Sequence, residues 1–249
     1  IFTMTELLNF IGLKTKIDKK NNFIKIINNK KKLNTVAPYK LVKTMRAGVL
    51  VLGPLLAKYK KAKVSLPGGC AIGTRPVDLH LYALKKFGAN IKIKDGYIYA
   101  TALKGLIGTK IKFPTISVGA TENAILAAFG AKGKTELSNC AIEPEIIDLI
   151  NFLNKLGGAI KIKKRKIFIS NVSKTNKISY KVMFDRIELG TYIIAAAIMG
   201  KKITFTKINP YIIKTELKIL KSIGVKLIIK KNKIIVYRSK NIKNIKITT

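Results

Sequence analysis

The residues best suited to chemistry lie between Pro67 and Asp78, in the order Pro-Gly-Gly-Cys-Ala-Ile-Gly-Thr-Arg-Pro-Val-Asp. An apolar strand, Val64 to Leu66, is predicted to precede a Gly-rich turn whose backbone N–H groups are available to an anion. Cys70 lies within that turn, and Arg75 precedes a proline that favours the first position of a helix. The stretch therefore predicts phosphate binding beside a thiol, although a tight turn with an incidental cysteine has the same pattern.

The overall composition predicts a globular protein of one or two domains. The 249 residues are 48% apolar, which is enough for a buried core. No stretch approaches the about 18 to 20 uninterrupted apolar residues of a membrane span, and the first residues lack the basic region of a signal peptide. We therefore expect a cytoplasmic protein without a membrane partner. Two cysteines and one histidine are too few for a disulfide framework or a Cys/His zinc cluster, so no metal site is expected.

The net charge of +37 is the strongest argument for a nucleic-acid-binding protein. Only five of the 49 basic residues are arginines, and the lysines are spread over almost every segment of the chain. Nucleic-acid-binding surfaces more often combine arginine forks with exposed aromatic side chains. The charge therefore favours a diffusely basic surface over a specific nucleic-acid site. The alternative function that the charge leaves open is that of a degenerate nucleic-acid-binding protein.

Four segments repeat one pattern, an amphipathic helix that ends at a glycine and is followed by two strands rich in Lys and Ile. Glycine at that position permits the left-handed backbone that ends a helix. A second helix, rich in Ala and Gly and predicted to be buried, occurs once per repeat and precedes a further strand. The repeat predicts βαβαββ units in an α/β (α+β) protein. The glycines are Gly12, Gly88, Gly157 and Gly224, and the buried helices are predicted at 39–58, 120–130 and 187–200.

Five motifs in this order resemble the enolpyruvyl transferase family, and within it the UDP-N-acetylglucosamine 1-carboxyvinyltransferases. They lie at 37–47, 64–80, 117–121, 143–148 and 185–188. The resemblance implies an inside-out α/β barrel of βαβαββ units in two domains, the first at 1–182 and an incomplete second at 183–249. It also implies transfer of the enolpyruvyl group of phosphoenolpyruvate to the 3-hydroxyl of UDP-N-acetylglucosamine with release of phosphate. No metal or organic cofactor is implied, and the oligomeric state is left open.

The resemblance gives the thiol loop its roles. Cys70 corresponds to the cysteine that protonates the enol carbon and forms a covalent adduct with phosphoenolpyruvate. A thiol beside Arg75 and exposed amides ionises more easily than a free cysteine, which suits this chemistry. Arg75 is implied as the phosphate partner, with a structural ion pair as its alternative. Cys140 is expected to be a small core residue.

The same resemblance implies a binding site for the nucleotide sugar. Arg46, Asp78 and His80 are implied as contacts to it. Asp78 could instead be an acid that only stabilises the first turn of a helix, and His80 could instead be a packed side chain without a binding role. The family commonly has a lysine at the position of Thr115, so Lys112 or Lys110 is a candidate replacement. The implied uridine-binding turn is Pro76, Val77, Asp78 and Leu79, and the implied diphosphate loop is Thr115, Ile116, Ser117, Val118 and Gly119.

The two ends of the chain give a further expectation. Residues 1–28 contain only the final helix and strand pair of a repeat, and the residues after Tyr237 begin another strand. The family's Lys-Asn pair, its base aspartate and a second phosphate arginine find no match in the sequence, so we expect a fragment that is inactive alone. The nearest rival is the shikimate-phosphate enolpyruvyl transferase, whose chemistry does not use the loop cysteine.

Overall fold

The computed structural model describes residues 1–29, 32–68, 77–170 and 175–246. The chain divides into two compact units, Ile1–Tyr180 and Lys181–Thr249. Whether these units are the two domains implied by the resemblance stays a prediction. Within the described ranges, no helix is long and apolar enough to cross a membrane.

The first unit contains six α-helices and ten strands among its described residues. A 3-10 helix, Arg46–Val51, immediately precedes α3. The helices are α1 Phe2–Ile11, α2 Tyr39–Val42, α3 Leu52–Tyr59, α4 Asp78–Lys86, α5 Val118–Phe129 and α6 Pro144–Lys155. The strands are β1 Lys14–Asp18, β2 Phe23–Ile27, β3 Val36–Ala37, β4 Lys61–Ser65, β5 Asn90–Lys94, β6 Tyr97–Thr101, β7 Lys110–Lys112, β8 Thr135–Ser138, β9 Ala159–Lys163 and β10 Lys166–Ser170.

Two four-stranded sheets in this unit have the same topology. Their orders are β3-β4-β6-β5 and β7-β8-β10-β9, and in each the first pair is parallel and the other pairs are antiparallel. Reading along the chain, each sheet belongs to one strand-helix-strand-helix-strand-strand unit. The predicted βαβαββ repeat is therefore confirmed. The first residues form only a helix and the β1-β2 hairpin, as expected of the last part of such a unit.

The repeated glycines end helices in the predicted way. Gly12, Gly88, Gly157 and Gly224 have φ angles of 112°, 93°, 114° and 99°, in the left-handed region that residues with a Cβ adopt at a cost. The chain then turns at once into an antiparallel strand pair, so each helix packs beside the hairpin that follows it.

Helix α5 lies at the centre of the first unit, as the sequence predicted. Its residues Ala120, Ala124, Ala127 and Ala128 are buried, and their small side chains let α3 and α4 approach its surface closely. The sheets therefore surround buried helices, which is the inside-out arrangement expected from the repeat. Burial on several sides also explains the weakly amphipathic sequence of this helix.

The single helix predicted over 39–58 is wrong. The chain instead forms α2, a turn at Lys43–Met45, the 3-10 helix and then α3. Pro54 lacks the N–H that a helix interior needs, so α3 begins at Leu52 and places the proline in its first turn. The break places Arg46 at the start of a separate helical segment.

Among its described residues, the second unit contains a three-stranded antiparallel sheet in the order β11-β13-β12 and two α-helices. The helix predicted at 187–200 is present as α7, but the prediction that it is buried is correct for one side only. One side of α7 is buried, through Leu189, Ile193 and Ala196, against β13 and the 3-10 helix, whereas Tyr192 and Ile198 are exposed. The elements are α7 Arg186–Met199, β11 Lys202–Thr206, a 3-10 helix Pro210–Ile213, α8 Lys214–Ser222, β12 Leu227–Lys230 and β13 Lys233–Tyr237.

Candidate functional site

The centre of the thiol loop, with Cys70, Arg75 and Pro76, lies outside the described residues. Both ends of the loop are described. Strand β4 leads into Pro67 and Gly68, and a Cβ added to Gly68 would lie 2.6 Å from the carbonyl oxygen of Lys43. Only glycine fits such an approach, so the loop leaves the sheet directly beside the turn that precedes Arg46.

The loop returns at the start of α4, where four predicted site residues lie in sequence. Val77 is buried at the N-cap position, and Asp78 is exposed in the first helical turn. Leu79 is partly buried against the core, and His80 is only 2% exposed. The same turn therefore presents a carboxylate outward and an imidazole inward.

The predicted diphosphate loop precedes the central helix. Thr115 and Ile116 are exposed between β7 and α5, and Ser117 is the N-cap residue of α5. The Ser117 Oγ accepts a hydrogen bond from the Ala120 N–H at 3.3 Å. The first N–H groups of a helix, here those of Val118 and Gly119, have no carbonyl partner within the helix and carry its positive dipole end. This terminus is therefore suited to bind an anion.

His80 joins the two predicted binding segments. A Cβ added to Gly119 would lie 3.2 Å from His80 Cε1 and 3.3 Å from His80 Nε2, so the imidazole lies against the first turn of α5. On the opposite edge of the ring, Nδ1 lies 3.1 Å from Nδ2 of Asn123. Two segments about 40 residues apart in sequence thus meet at this one histidine.

The remaining edge of the imidazole has no partner. His80 Nε2 is buried and makes no hydrogen bond within the described residues. Nη1 of Arg46 is also buried and makes no hydrogen bond within the described residues. Buried polar atoms are usually paired, because an unmade hydrogen bond costs about 1–3 kcal/mol. The unpaired Nε2 at the start of α5, together with Arg46, whose charge acts on the same ring, indicates a place for a ligand with acceptor atoms.

The electrostatic setting keeps His80 neutral. Burial, followed by the positive charge of Arg46, lowers the pKa of His80 to about 4, and the negative charge of Asp78 opposes this shift. A neutral imidazole binds a ligand as a hydrogen-bond donor or acceptor and adds no charge of its own. Among the described residues, Arg46 is the positive charge that acts on this imidazole.

The structure leaves the replacement for the missing lysine open. Lys110 and Lys112 are both exposed on β7, on either side of buried Ile111. Strand β7 is fixed beside α4 by the hydroxyl of Tyr82, which donates to the Lys112 carbonyl at 3.1 Å. Both lysines stay candidates for the positive contact that Thr115 lacks.

Cys140 is a core residue, as predicted. Its side chain is fully buried, and burial raises the pKa of its thiol to about 12. Its carbonyl accepts a hydrogen bond of 3.0 Å from Nη1 of Arg165. A thiol that stays protonated and inaccessible is inert as a nucleophile.

Sequence reasoning missed Asn123, which is fully buried in α5. Its Oδ1 accepts a hydrogen bond of 3.0 Å from the Gly53 N–H, and its Nδ2 donates to the Val49 carbonyl at 3.3 Å as well as facing His80. A lone amide within an Ala-rich buried helix was the available signal, because a buried amide must find hydrogen-bond partners.

Comparison with known proteins gives matches along the whole chain. The sequence profile of the family described as EPSP synthase (3-phosphoshikimate 1-carboxyvinyltransferase) matches residues 1–249. UDP-N-acetylglucosamine 1-carboxyvinyltransferase of Pelagibacter ubique (strain HTCC1062) is 58% identical over 250 residues, which cover 100% of this chain and 59% of that protein. The protein of that name from Rickettsia akari (strain Hartford) is 51% identical over 215 residues, covering 86% of this chain and 51% of its own length. The chain thus spans little more than half of these relatives.

Solved structures share the fold at low sequence identity. The enolpyruvyl transferase NikO from Streptomyces tendae superposes with a TM-score of 0.79 at 18% identity, covering 96% of this chain and 57% of the NikO chain. An EPSP synthase from Acinetobacter baumannii gives a TM-score of 0.73 at 17% identity, covering 98% and 57%. The predicted fold of the enolpyruvyl transferase type is confirmed.

Proposed function

We propose that this chain, which belongs to the EPSP synthase (3-phosphoshikimate 1-carboxyvinyltransferase) family, carries the thiol-loop part of an enzyme acting on UDP-N-acetylglucosamine. The reaction transfers the enolpyruvyl group of phosphoenolpyruvate to the 3-hydroxyl of the sugar and releases phosphate. The observation that carries the proposal is the 51–58% identity to relatives named for this activity. In the cell this would be the first committed step of peptidoglycan precursor synthesis in the cytoplasm, and so serve cell-wall growth, cell shape and division.

Cys70 is proposed to supply the chemistry of the loop. A thiol that gives its proton to the methylene carbon of phosphoenolpyruvate leaves positive charge on the adjacent carbon. The sugar hydroxyl attacks that carbon and gives its own proton to the base aspartate of the family, for which this sequence has no match, whereas attack by the thiolate forms the covalent adduct. When phosphate leaves the sugar adduct, one proton of the new methyl group returns to the thiolate and the C=C bond of the enol ether forms. Arg75, five residues further along the loop, is proposed to hold the phosphate through its planar fork. The glycines of the loop allow backbone N–H groups to approach the same anion.

The nucleotide sugar is proposed to lie along the starts of α4 and α5. The turn of Pro76, Val77, Asp78 and Leu79 would take the uridine, and the segment from Thr115 to Gly119 would take the diphosphate. His80 lies against Gly119 with an unpaired buried Nε2, and Arg46, whose charge acts on His80, has an unpaired buried Nη1, which supports an oxygen-rich ligand there. Donors without described acceptors are the arrangement that a diphosphate would complete.

The shikimate-phosphate reaction is the nearest alternative, because the matching family profile is described by that activity. The relatives at 51–58% identity favour the nucleotide sugar instead. A Gly-Gly-Cys loop with a nearby arginine also fits thiol chemistry, which the shikimate-phosphate enzymes do not use. Duplex nucleic acid as the ligand is favoured only by the net charge of +37.

The proposal is tested by phosphate release with two competing acceptors. The 249 residues, alone and together with the natural coding sequence on either side, are incubated with phosphoenolpyruvate and either UDP-N-acetylglucosamine or shikimate 3-phosphate. The expected result is no release by the 249 residues alone and, with the flanking sequence present, release with the nucleotide sugar that is reduced sharply by Cys70→Ser and unaffected by Cys140→Ser. Release with shikimate 3-phosphate alone, or full activity of Cys70→Ser, would contradict the proposal.

A further inference from the structure

The orientation of the Asn123 amide is fixed by two backbone groups of known polarity. The Gly53 N–H can only donate, so the atom facing it at 3.0 Å must be the amide oxygen. The Val49 carbonyl can only accept, so the atom facing it at 3.3 Å must be the amide nitrogen. The oxygen and nitrogen atoms of an asparagine side chain can often be exchanged by rotating the amide, but here the hydrogen-bond partners determine the position of both atoms.

This orientation determines the tautomer of His80. The amide nitrogen of Asn123 donates its remaining hydrogen to His80 Nδ1 at 3.1 Å, so Nδ1 must be the accepting nitrogen. A neutral imidazole carries one proton, which therefore lies on Nε2. Nε2 is buried, has no partner within the described residues and lies against Gly119 at the start of α5.

Hydrogen-bond donors lie beside Nε2 at the start of α5, and the charges of Arg46 and Asp78 both act on the ring. The first-turn N–H groups of α5 are free of helical carbonyl partners, and Nη1 of Arg46 is buried without a described hydrogen bond. A neutral histidine with its proton on Nδ1 would place a lone pair in this position and repel the same anion that the other groups attract. The choice of tautomer therefore decides whether His80 assists or opposes anion binding.

We propose that Asn123 is a positioning residue, which holds His80 with its proton on Nε2 so that the imidazole donates to an anionic oxygen at the first turn of α5. Identifying that oxygen as part of the UDP-N-acetylglucosamine diphosphate rests on the proposed function. The effect of Asn123 on the tautomer does not, since it follows from hydrogen bonds of the free protein. Gly53 is also needed to hold Asn123 in this position, because a Cβ at residue 53 would lie 2.5 Å from Asn123 Oδ1 and displace the amide.

The tautomer is measured directly by NMR of the 249-residue chain with ¹⁵N-labelled histidine. The chain contains one histidine, so a single imidazole pattern is observed. The long-range ¹H–¹⁵N spectrum at pH 7 is expected to show the proton on Nε2. Of the charged groups among the described residues, Arg46 and Asp78 act on this ring, the first lowering and the second raising the pKa of His80. A proton on Nδ1 would overturn the proposal.

The matched variant is Asn123→Asp. Its carboxylate still accepts from the Gly53 N–H but cannot donate to His80, so the imidazole is expected to move its proton to Nδ1 or to become doubly protonated. Asn154→Asp is the control, because Asn154 also bonds one backbone N–H and one carbonyl, both of Ile160, in the same unit. An unchanged Nε2–H pattern in folded Asn123→Asp would overturn the role of Asn123.

A measurement on the unmodified chain covers the case in which the variant does not fold. With asparagine and histidine both ¹⁵N-labelled, a scalar coupling between Asn123 Nδ2 and His80 Nδ1 is expected across their hydrogen bond. Its absence in a well-resolved spectrum at pH 7 would overturn the proposal without any substitution.

Ligand titrations separate this proposal from the proposed function. Inorganic pyrophosphate and UDP-N-acetylglucosamine are each expected to shift the Nε2–H resonance, and Asn123→Asp to bind pyrophosphate about tenfold more weakly. A shift with pyrophosphate but not with the nucleotide sugar would support the donor role and remove the proposed substrate. If neither compound moves Nε2–H, His80 is not the donor, whatever its tautomer.

Discussion

The two cysteines are expected to differ sharply in reactivity. Cys140 is fully buried and its thiol pKa is raised to about 12, so at pH 7.5 it stays protonated and closed to reagents. Iodoacetamide or a small epoxide phosphonate should therefore modify Cys70 in the folded chain, as shown by mass spectrometry of peptides. Cys140 should react only after addition of denaturant. Equal labelling of Cys140 in the folded protein would remove the main support for the assigned chemistry.

The buried histidine is expected to make the stability of the first unit fall in mild acid. The pKa of His80 is about 4 in the folded chain, below the ordinary 6.5, so the unfolded chain takes up the proton first. The contribution of neutral His80 to the free energy of unfolding is complete above pH 6.5. On the order of 3 kcal/mol of it is lost as the pH falls to about 4. Urea unfolding followed by circular dichroism at pH 7 and 4.5 measures the loss.

His80→Gln is the comparison for this pH effect. The substitution removes the only histidine and leaves all carboxylates in place, so the difference between the two pH profiles belongs to His80. We expect the variant to lose less stability between pH 7 and 4.5 than the unmodified chain. Parallel profiles would mean that the folded imidazole titrates near its ordinary pKa.

The candidate site was only partly predictable from sequence, for a physical reason. Local motifs predict the starts of α4 and α5 only to within two residues. Pro76 is expected at the first helical position, but α4 begins at Asp78, and the central helix is predicted from 120, but α5 begins at Val118. The contact between His80 and Gly119 depends on how α4 packs on α5, which no local pattern contains. Asn123 was missed for the same reason, since its partners come from three different segments. Cys70 and Arg75 stay predictions.

At the scale of the elements, close packing of α3 on α5 predicts a clear difference between two helical glycines. A Cβ on Gly53 would lie 2.5 Å from Asn123 Oδ1 and 2.8 Å from its carbonyl oxygen, whereas a Cβ on Gly190 of α7 meets nothing within 4 Å. Gly53→Ala should destabilise the protein by about 1–3 kcal/mol. Gly190→Ala should stabilise α7 by about 0.5–1 kcal/mol. Urea unfolding of both variants measures the difference, and equal effects would contradict the packing.

The elements that the sequence predicted best are those with local signals. Each amphipathic helix ends at a left-handed glycine and is followed by a hairpin, so turn chemistry and periodicity suffice to place it. The prediction for the segment from Tyr39 to Tyr59 failed because its largely apolar sequence predicts one long buried helix, whereas the chain forms α2, a 3-10 helix and α3, with Pro54 in the first turn of α3. Strands β3 and β7 have only two and three residues and exist through their parallel partners, so no periodicity indicates them.

At the scale of the whole molecule, the basic charge is spread over both units. Lysines occupy exposed positions on helices and on strands such as β5, β9 and β12. We expect binding to duplex DNA to be weak, independent of sequence and lost above physiological salt, because it rests on diffuse attraction alone. Filter binding of two unrelated duplexes at 50 and 300 mM NaCl tests this. Tight, sequence-selective binding at the higher salt would favour the nucleic-acid alternative.

The same charge should make the folded protein more stable as salt is added. With 49 basic and 12 acidic residues, folding brings like charges together, and this repulsion opposes the compact state. Raising the ionic strength from about 0.01 to 0.3 M shortens the screening length from about 30 Å to below 8 Å, so repulsion between surface lysines weakens. We expect the Tm to rise with NaCl and to rise equally with KF at matched ionic strength, since screening depends on charge and not on the identity of the ion. A Tm that falls with NaCl would mean that attractive ion pairs, such as Arg186–Glu216 at 2.9 Å, outweigh the repulsion.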